Sequence, residues 1–275
     1  MTIDFSRPPT VALFVPADRP ERFQKAMGSG ADIVIVDLED AVASENKASA
    51  RANVAALLRY QSNLVVRINA PGSPWHQEDL AAVAGRSAAV AAVMVPKVES
   101  VDELRQVRAH LDEATRIVPL IESAAGIARL EHLLTCDGIW CAAFGSLDFA
   151  LDLSCAHTWD ALLMARSRLV LHSRLAGLPS PIDGVTTAID NPDLCEADAL
   201  RASQLGFGGK LAVHPNQIDA IRRGFQPDAA SISWAHSVVD ASLAGGAARV
   251  QGAMVDRPVV ERARRILIQA REAQE

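Results

Sequence analysis

The chain has 275 residues, 49% of them hydrophobic, which is enough for a large core and compatible with a single α/β domain plus an appendage. A formal net charge of −6, with Lys and Arg scattered among acids, leaves no electrostatic footprint for nucleic acid. The N-terminus carries no basic stretch leading into an apolar run, and no segment approaches the ~20 apolar residues of a membrane span. The expectation is a cytoplasmic protein with neither a membrane nor a nucleic-acid partner. Cys136, Cys141, Cys155 and Cys195 lack CxxC spacing and are expected to be reduced thiols.

In chain order, eight short apolar runs are bounded by polar, Gly or Pro residues, and each is followed by a segment of helical period. They are Val11–Pro16, Ile33–Leu38, Leu64–Asn69, Ala91–Lys97, Ile117–Glu122, Gly138–Phe144, Pro181–Val185 and Lys210–His214. Strands apolar throughout suit a parallel sheet buried on both faces, and the helical spacers supply its crossovers. An open doubly wound sheet would carry a Gly-rich phosphate fingerprint after its first strand, but Ala17-Asp18-Arg19-Pro20 stands there. The pattern predicts a (β/α)₈ TIM barrel over 1–226 and a C-terminal helical extension over 227–275. Helices are expected there around Ser231–Leu243 and Pro258–Ala273, separated by Ala244-Gly245-Gly246.

In such a barrel, chemistry gathers at the C-terminal ends of the strands. The runs end in Asp37-Leu38-Glu39-Asp40, Arg67-Ile68-Asn69, Pro96-Lys97-Val98-Glu99, Glu122-Ser123, Gly145-Ser146-Leu147-Asp148, Asp183-Gly184 and His214-Pro215-Asn216. Carboxylates gathered at one mouth without enough cations invite a hard divalent ion, and Mg²⁺ is the natural candidate because it takes oxygen ligands and needs few carboxylates. Glu122 and Asp148 follow adjacent strands in small-residue surroundings, and Gly145, Ser146 and Leu147 leave room for substrate; as single residues, either acid could equally be a helix cap or first-turn acid. Arg67 closing an apolar strand needs a bidentate partner, either a substrate carboxylate or its neighbours Asp37, Glu39 and Asp40.

These segments resemble, in this order, the citrate lyase β-subunit-like branch of the HpcH/HpaI aldolase superfamily, which includes malyl-CoA and citramalyl-CoA lyases. The resemblance runs from Phe14-Val15-Pro16 to Met254-Val255-Asp256-Arg257-Pro258. It rests most on Val36–Val42, Val66–Asn69, Pro96–Glu99, Ile121–Ser123, Phe144–Asp148 and His214–Ile218. It implies a Mg²⁺-dependent carbon–carbon lyase that cleaves a 3-hydroxyacyl thioester to an acyl-CoA and a 2-oxo acid. Glu122 and Asp148 would be metal ligands, and Arg67 would hold the oxo-acid carboxylate. Phe14, Arg19 and Lys25 would line the CoA path, with Val213 and His214 near the thioester arm. Glu39, Asp40 and Lys97 are assigned to holding Arg67 and metal-bound water. Asp256 reads from sequence as the N-cap of the helix near Pro258. The resemblance instead implies a lid aspartate reaching a neighbouring subunit's site, and so a homo-oligomer, a trimer or hexamer. The readings set against this one are a pyruvate aldolase acting without CoA and a non-catalytic acyl-CoA-binding subunit.

Overall fold

The computed structural model describes residues 3–243, 249–250 and 253–272. In order, the elements are β1 (Val11–Pro16), α1 (Phe23–Met27), β2 (Ile33–Asp37), α2 (Lys47–Leu57), β3 (Leu64–Arg67), α3 (His76–Val83), β4 (Val90–Val95), α4 (Val101–His110), β5 (Arg116–Ile121), α5 (Ala124–Ala128) and α6 (Leu130–Leu133). They continue with β6 (Ala143–Phe144), α7 (Ser146–Asp152), α8 (Trp159–Leu175), β7 (Ile182–Asp183), α9 (Pro192–Leu205), β8 (Gly209–Ala212) and α10 (Ile218–Phe225). The tail holds α11 (Ala229–Leu243), β9 (Arg249–Val250), β10 (Ala253–Met254) and α12 (Arg257–Glu272). The chain divides into two compact units, Met1–Arg222 and Arg223–Glu275, with the division inside α10.

In the first unit, β1 to β8 form a closed barrel of parallel strands, with β8 returning to pair with β1. Every residue of β2, β3 and β4 is buried, as a sheet covered on both faces requires. Alternate residues fill the lumen, among them Ala12, Ile33, Ile35, Val65, Ala92, Met94, Val118, Leu120, Ala143, Ile182 and Leu211. At the base, Phe5 meets Trp140 edge-on at 5.0 Å between centroids, and Trp140 Nε1 donates to the Arg7 carbonyl at 3.1 Å. The N-terminal segment therefore plugs the end of the barrel away from the strand C-termini. Because side chains alternate along a strand, one further step from each lumen residue brings Asp37, Arg67, Glu122, Gly145, Gly184 and Val213 to the open mouth.

All eight expected strands form, but most stop short of the apolar runs: β3 ends at Arg67 instead of Asn69, and β6 to β8 are also shorter than expected. The run Gly138–Phe144 contributes one bridge, Ile139 to Ile117, and then a ladder that begins at Ala143 opposite Leu120. Strand β6 thus advances one residue more than β5 between these points, which is a bulge, and both Trp140 and Cys141 join the lumen core there. Hydrophobicity alone does not reveal a bulge. The ladder of β7 covers only Ile182–Asp183 of the expected Pro181–Val185. Strand β8 begins at Gly209 and stops at Ala212, because the N–H groups of Val213 and His214 turn to Gln217 Oε1 at 3.0 and 3.3 Å instead of continuing the ladder.

The helix ends follow local chemistry. Ser100 and Glu103 form a reciprocal capping box on α4, and Asn191 with Pro192 starts α9, which Gly206 ends in the left-handed conformation. In the second unit, α11 and α12 pack through Ala235, Val238 and Ala263, flanked by Trp234, Val259 and Leu267. The antiparallel pair β9 and β10 between them was not anticipated from sequence. Asp256 Oδ1 accepts from Val259 N at 3.1 Å, so the capping role read from the sequence is present. The expected separator Ala244-Gly245-Gly246 lies outside the described residues. Among the described residues no helix is long and apolar enough to cross a membrane. The cysteines are free thiols.

If the base plug is integral to the barrel core, Trp140→Ala should lower stability by ~3–5 kcal/mol, the range for emptying a buried aromatic site. Denaturant unfolding followed by far-UV circular dichroism measures this, and a loss under ~1 kcal/mol would show that the plug is peripheral.

Candidate active site

Arg67 ends β3 on the lumen face and is nine-tenths buried. Its Nε and Nη2 donate to the two oxygens of Asp37, both at 2.7 Å, in the bidentate fork that planar guanidinium and carboxylate groups favour. Its Nη1 lies 3.1 Å from Glu39 Oε2 and 3.9 Å from Asp40 Oδ2. The Phe14 ring sits beneath the guanidinium, 4.7 Å from centroid to Cζ. Burial works against the charge, but Asp37, Glu39 and Glu122 outweigh it and hold the pKa above the ordinary arginine value. The partner that sequence left open between substrate and neighbouring acids is Asp37 on one edge; the Nη1 side faces Glu39.

Lys97 follows β4 and adopts a left-handed backbone with φ of 53°, uncommon for a residue with a side chain. That conformation sends its two functional groups to different carboxylates. The backbone N–H donates to Glu122 Oε2 at 2.8 Å, and Nζ reaches Glu39 Oε1 at 2.6 Å and Asp40 Oδ1 at 3.6 Å. Burial depresses the Lys97 pKa, but Glu39 and Glu122 more than reverse this and raise it. Glu39 is raised by burial, with Arg67 and Lys97 opposing. Its Oε2 is buried and makes no hydrogen bond despite the nearby Nη1.

Glu122 directly follows β5 and is almost wholly buried. It is not a helix cap: the next residue, Ser123, caps α5 by accepting from Gly126 N at 3.1 Å. Burial, then the charge of Glu39, pushes the Glu122 carboxyl up to about 8, with Lys97 and Arg67 opposing and Asp148 adding repulsion. Gly145 makes room for it, since a Cβ at that position would stand 2.2 Å from Glu122 Cγ. Asp148 lies in the first turn of α7, half-buried, so it is also the first-turn acid that sequence allowed.

The structure also places the remaining expected residues. Ser146 is buried, with its hydroxyl 2.9 Å from His157 Nε2, while Leu147 is exposed at the start of α7. Burial, then Arg166 and Lys210, lowers the His157 pKa. Arg19 and Lys25 are exposed on the segment after β1. Val213 is exposed, and His214 Nδ1 accepts from Asn216 N at 3.1 Å, which leaves the proton of a neutral ring on Nε2. Asp37 is a site residue that sequence reading treated only as a possible partner. Its signal was its place on the inward face, two residues beyond Ile35. Asn69, at the end of the third apolar run, and Lys47, which no sequence signal marks, brace this region.

A family model described as HpcH/HpaI aldolase/citrate lyase matches residues 10–215. The chain belongs to this family. It is 35% identical over 273 residues to a citrate lyase subunit beta-like protein of Deinococcus radiodurans, covering 93% of this chain and 95% of that protein. It is 27% identical to the mitochondrial citramalyl-CoA lyase of Rattus norvegicus, over 98% of this chain and 88% of the relative. Among solved structures, CitE of Mycobacterium tuberculosis in complex with magnesium, acetoacetate and coenzyme A superposes with a TM-score of 0.86 at 31% identity, covering 97% of this chain and 99% of that one.

Asp37, Glu39, Asp40, Glu122 and Asp148 outnumber the cations Arg67 and Lys97 at the mouth. Burial, then the charge of Glu39, raises the Glu122 carboxyl, and a buried Glu39 oxygen lacks a hydrogen bond, so both acids have capacity for a cation. Among the described residues no three His, Cys, Asp or Glu side chains form a ready-made metal cage. Mg²⁺ does not need such a cage, since it takes one or two carboxylates and keeps its other positions for water and substrate. The donor set fits the ion.

The fit of Glu122 against Gly145 is testable by a double-mutant cycle. Gly145→Ala should cost ~1–3 kcal/mol as an overpacked site. The same change in a Glu122→Ala background should cost much less, because the opposing side chain is gone. Equal costs in urea unfolding would mean that the two positions do not meet.

Proposed function

We propose that this chain is a Mg²⁺-assisted carbon–carbon lyase that cleaves a 3-hydroxyacyl thioester of the malyl, citramalyl or citryl kind into an acyl-CoA and a 2-oxo acid, reversibly. The observation that carries this reading is a buried, carboxylate-held Arg67 together with the buried Glu122 at the mouth of a barrel whose relatives include a citramalyl-CoA lyase and a structure solved with magnesium, acetoacetate and coenzyme A. The alternative of a pyruvate aldolase without CoA is less favoured, because the relative with a TM-score of 0.86 was solved with coenzyme A.

Glu122 and Asp148 would hold the ion, which when bound supplies Lewis-acid polarisation of the substrate hydroxyl and carboxylate oxygens. Arg67 presents its Nη1 side to the oxo-acid carboxylate, while Asp37 fixes the other edge and Phe14 the plane. Glu39 and Lys97 set the position of Nη1. In cleavage the hydroxyl proton passes to solvent water as the C2–C3 bond breaks, C3 becomes the carbonyl carbon of the oxo acid, and the bonding pair leaves on C2 as the thioester enolate. C2 of the enolate then takes a proton from a carboxylic acid, a role we assign to protonated Asp256 of a neighbouring subunit in a trimer or hexamer. Arg19, Lys25 and Phe14 would line the approach for CoA, with Val213 and His214 near its thioester arm and Gly145, Ser146 and Leu147 against the substrate.

Purified protein assayed with malyl-, citramalyl- and citryl-CoA should release acyl-CoA only with Mg²⁺ present, and Glu122→Ala should lose turnover while keeping its fold. Release from none of the three thioesters would overturn the reading. The pH dependence has a definite sign. Below about 8 the unliganded Glu122 is mostly protonated, so ion binding must displace that proton. Mg²⁺ affinity should therefore rise with pH, by up to ~tenfold per unit below that pKa, and level off above it. Calorimetry in buffers of differing ionisation enthalpy would detect the released proton, and a flat profile between pH 6 and 8 would remove Glu122 from the ligand set. For shared sites, reassembling mixed oligomers of Asp256→Ala and Glu122→Ala should restore part of the activity. Demonstrably mixed oligomers that stay inactive would return Asp256 to its capping role alone.

A further inference from the structure

Lys47 is a charged residue buried at the first position of α2, with 5% of its surface exposed. Its placement works against it twice: burial penalises the ammonium, and a cation at a helix N-terminus opposes the helix dipole. Nothing in the stability of α2 calls for it, since Ala50 and Val54 already supply the apolar face of that helix. What it does is join two strand ends. The ammonium has three donors, and three acceptors surround it: the Leu38 carbonyl at 2.8 Å, the Glu39 carbonyl at 2.8 Å and Asn69 Oδ1 at 2.7 Å. The Trp75 ring closes the remaining side, with its centroid 5.1 Å from Nζ.

The location of these acceptors gives the contact its meaning. The paired register of β2 and β3 ends at Asp37 and Arg67, with a last bond from Leu38 N to the Arg67 carbonyl at 2.9 Å. Beyond that point no ladder fixes one chain against the other. Lys47 takes over there, gripping the backbone of Glu39 on one side and Asn69, two residues past Arg67, on the other. Asn69 is itself fixed, since Nδ2 donates to the Leu38 carbonyl at 2.9 Å and to Asp79 Oδ2 at 2.5 Å, and its backbone N–H donates to the same oxygen at 2.8 Å. Arg51 Nη1 holds the other Asp79 oxygen at 3.2 Å.

We infer that Lys47 is a positioning residue for the oxo-acid subsite, holding the Glu39 backbone and the strand end after Arg67 in the register that aims Nη1 at the substrate carboxylate. It touches neither substrate nor metal in this role; it acts through Glu39 and Arg67. The inference rests on the lyase reading above and adds to it a residue from the helical shell.

The test compares two ligands that use different parts of the mouth. Wild type, Lys47→Met and Asn69→Ala are titrated by calorimetry with pyruvate at saturating Mg²⁺ and separately with free CoA, and thermal melts confirm the fold. Lys47→Met should weaken pyruvate binding tenfold or more while CoA binding stays within twofold, with kcat for thioester cleavage falling in step with the pyruvate loss. Asn69→Ala, which keeps Lys47 and removes one acceptor, should show the same selectivity with a loss of threefold or more. Should Lys47→Met not fold, Asn69→Ala decides alone. Equal losses for both ligands, or unchanged pyruvate binding, would overturn the assignment and leave Lys47 as part of the scaffold. Wild type that binds neither ligand would instead defeat the lyase reading, and the inference with it.

Discussion

The buried pair of Arg67 and Asp37 is the interaction on which the rest of the mouth depends. A guanidinium inside an apolar barrel is tolerable only with an anion in matching geometry, and Asp37 meets it at 2.7 Å through both oxygens from the adjacent strand. Asp37 also accepts from the N–H groups of Glu39 and Ala41, so the same carboxylate shapes the turn after β2. The turn puts the Glu39 side chain where it can bridge Arg67 and Lys97, and the Lys97 backbone then reaches Glu122 directly after β5. One ion pair is thus continued across four neighbouring strands. Removing either partner would strip a buried charge of its bidentate counterion, a larger disturbance than the loss of the contact itself.

The mouth is organised but electrically incomplete. Acids exceed cations there, and burial, joined at Glu122 by the charge of Glu39, raises the carboxyl pKa values of Glu39 and Glu122. The barrel supplies the rigidity that holds like charges close, because its lumen is filled by packed aliphatic side chains from every strand. On the proposed reading, the surplus acids would receive a divalent cation and the Nη1 side of Arg67 a substrate carboxylate.

Most of the fold was legible in the sequence because an all-parallel barrel writes itself as apolar runs alternating with helical segments. The runs overreached where the ladder is broken by a device with no hydrophobic signature: the extra residue in β6 and the diversion of Val213 and His214 to Gln217. At the site, residues at strand ends were readable, since a charged group closing an apolar run needs an explanation. Asp37 is hard to single out because a first-choice partner for Arg67 cannot be picked from three nearby acids without geometry. Lys47 was invisible for a different reason. It stands in a helix among Ser, Glu and Asn, where a lysine is ordinarily solvated, and only the three-dimensional path of the β2 and β3 ends turns it inward.

The close fit of Glu122 against Gly145 has a consequence for how sequences of this fold can diverge. Any side chain at 145 collides with the glutamate, and shortening the glutamate first removes a group from the mouth. Neither position has a harmless first step away from its present state, so the two are locked as a historical pair. Divergence in specificity must then enter through positions that do not share this lock, such as the exposed Leu147 and Val213 around the rim. The floor of the site would stay fixed while its edge drifts.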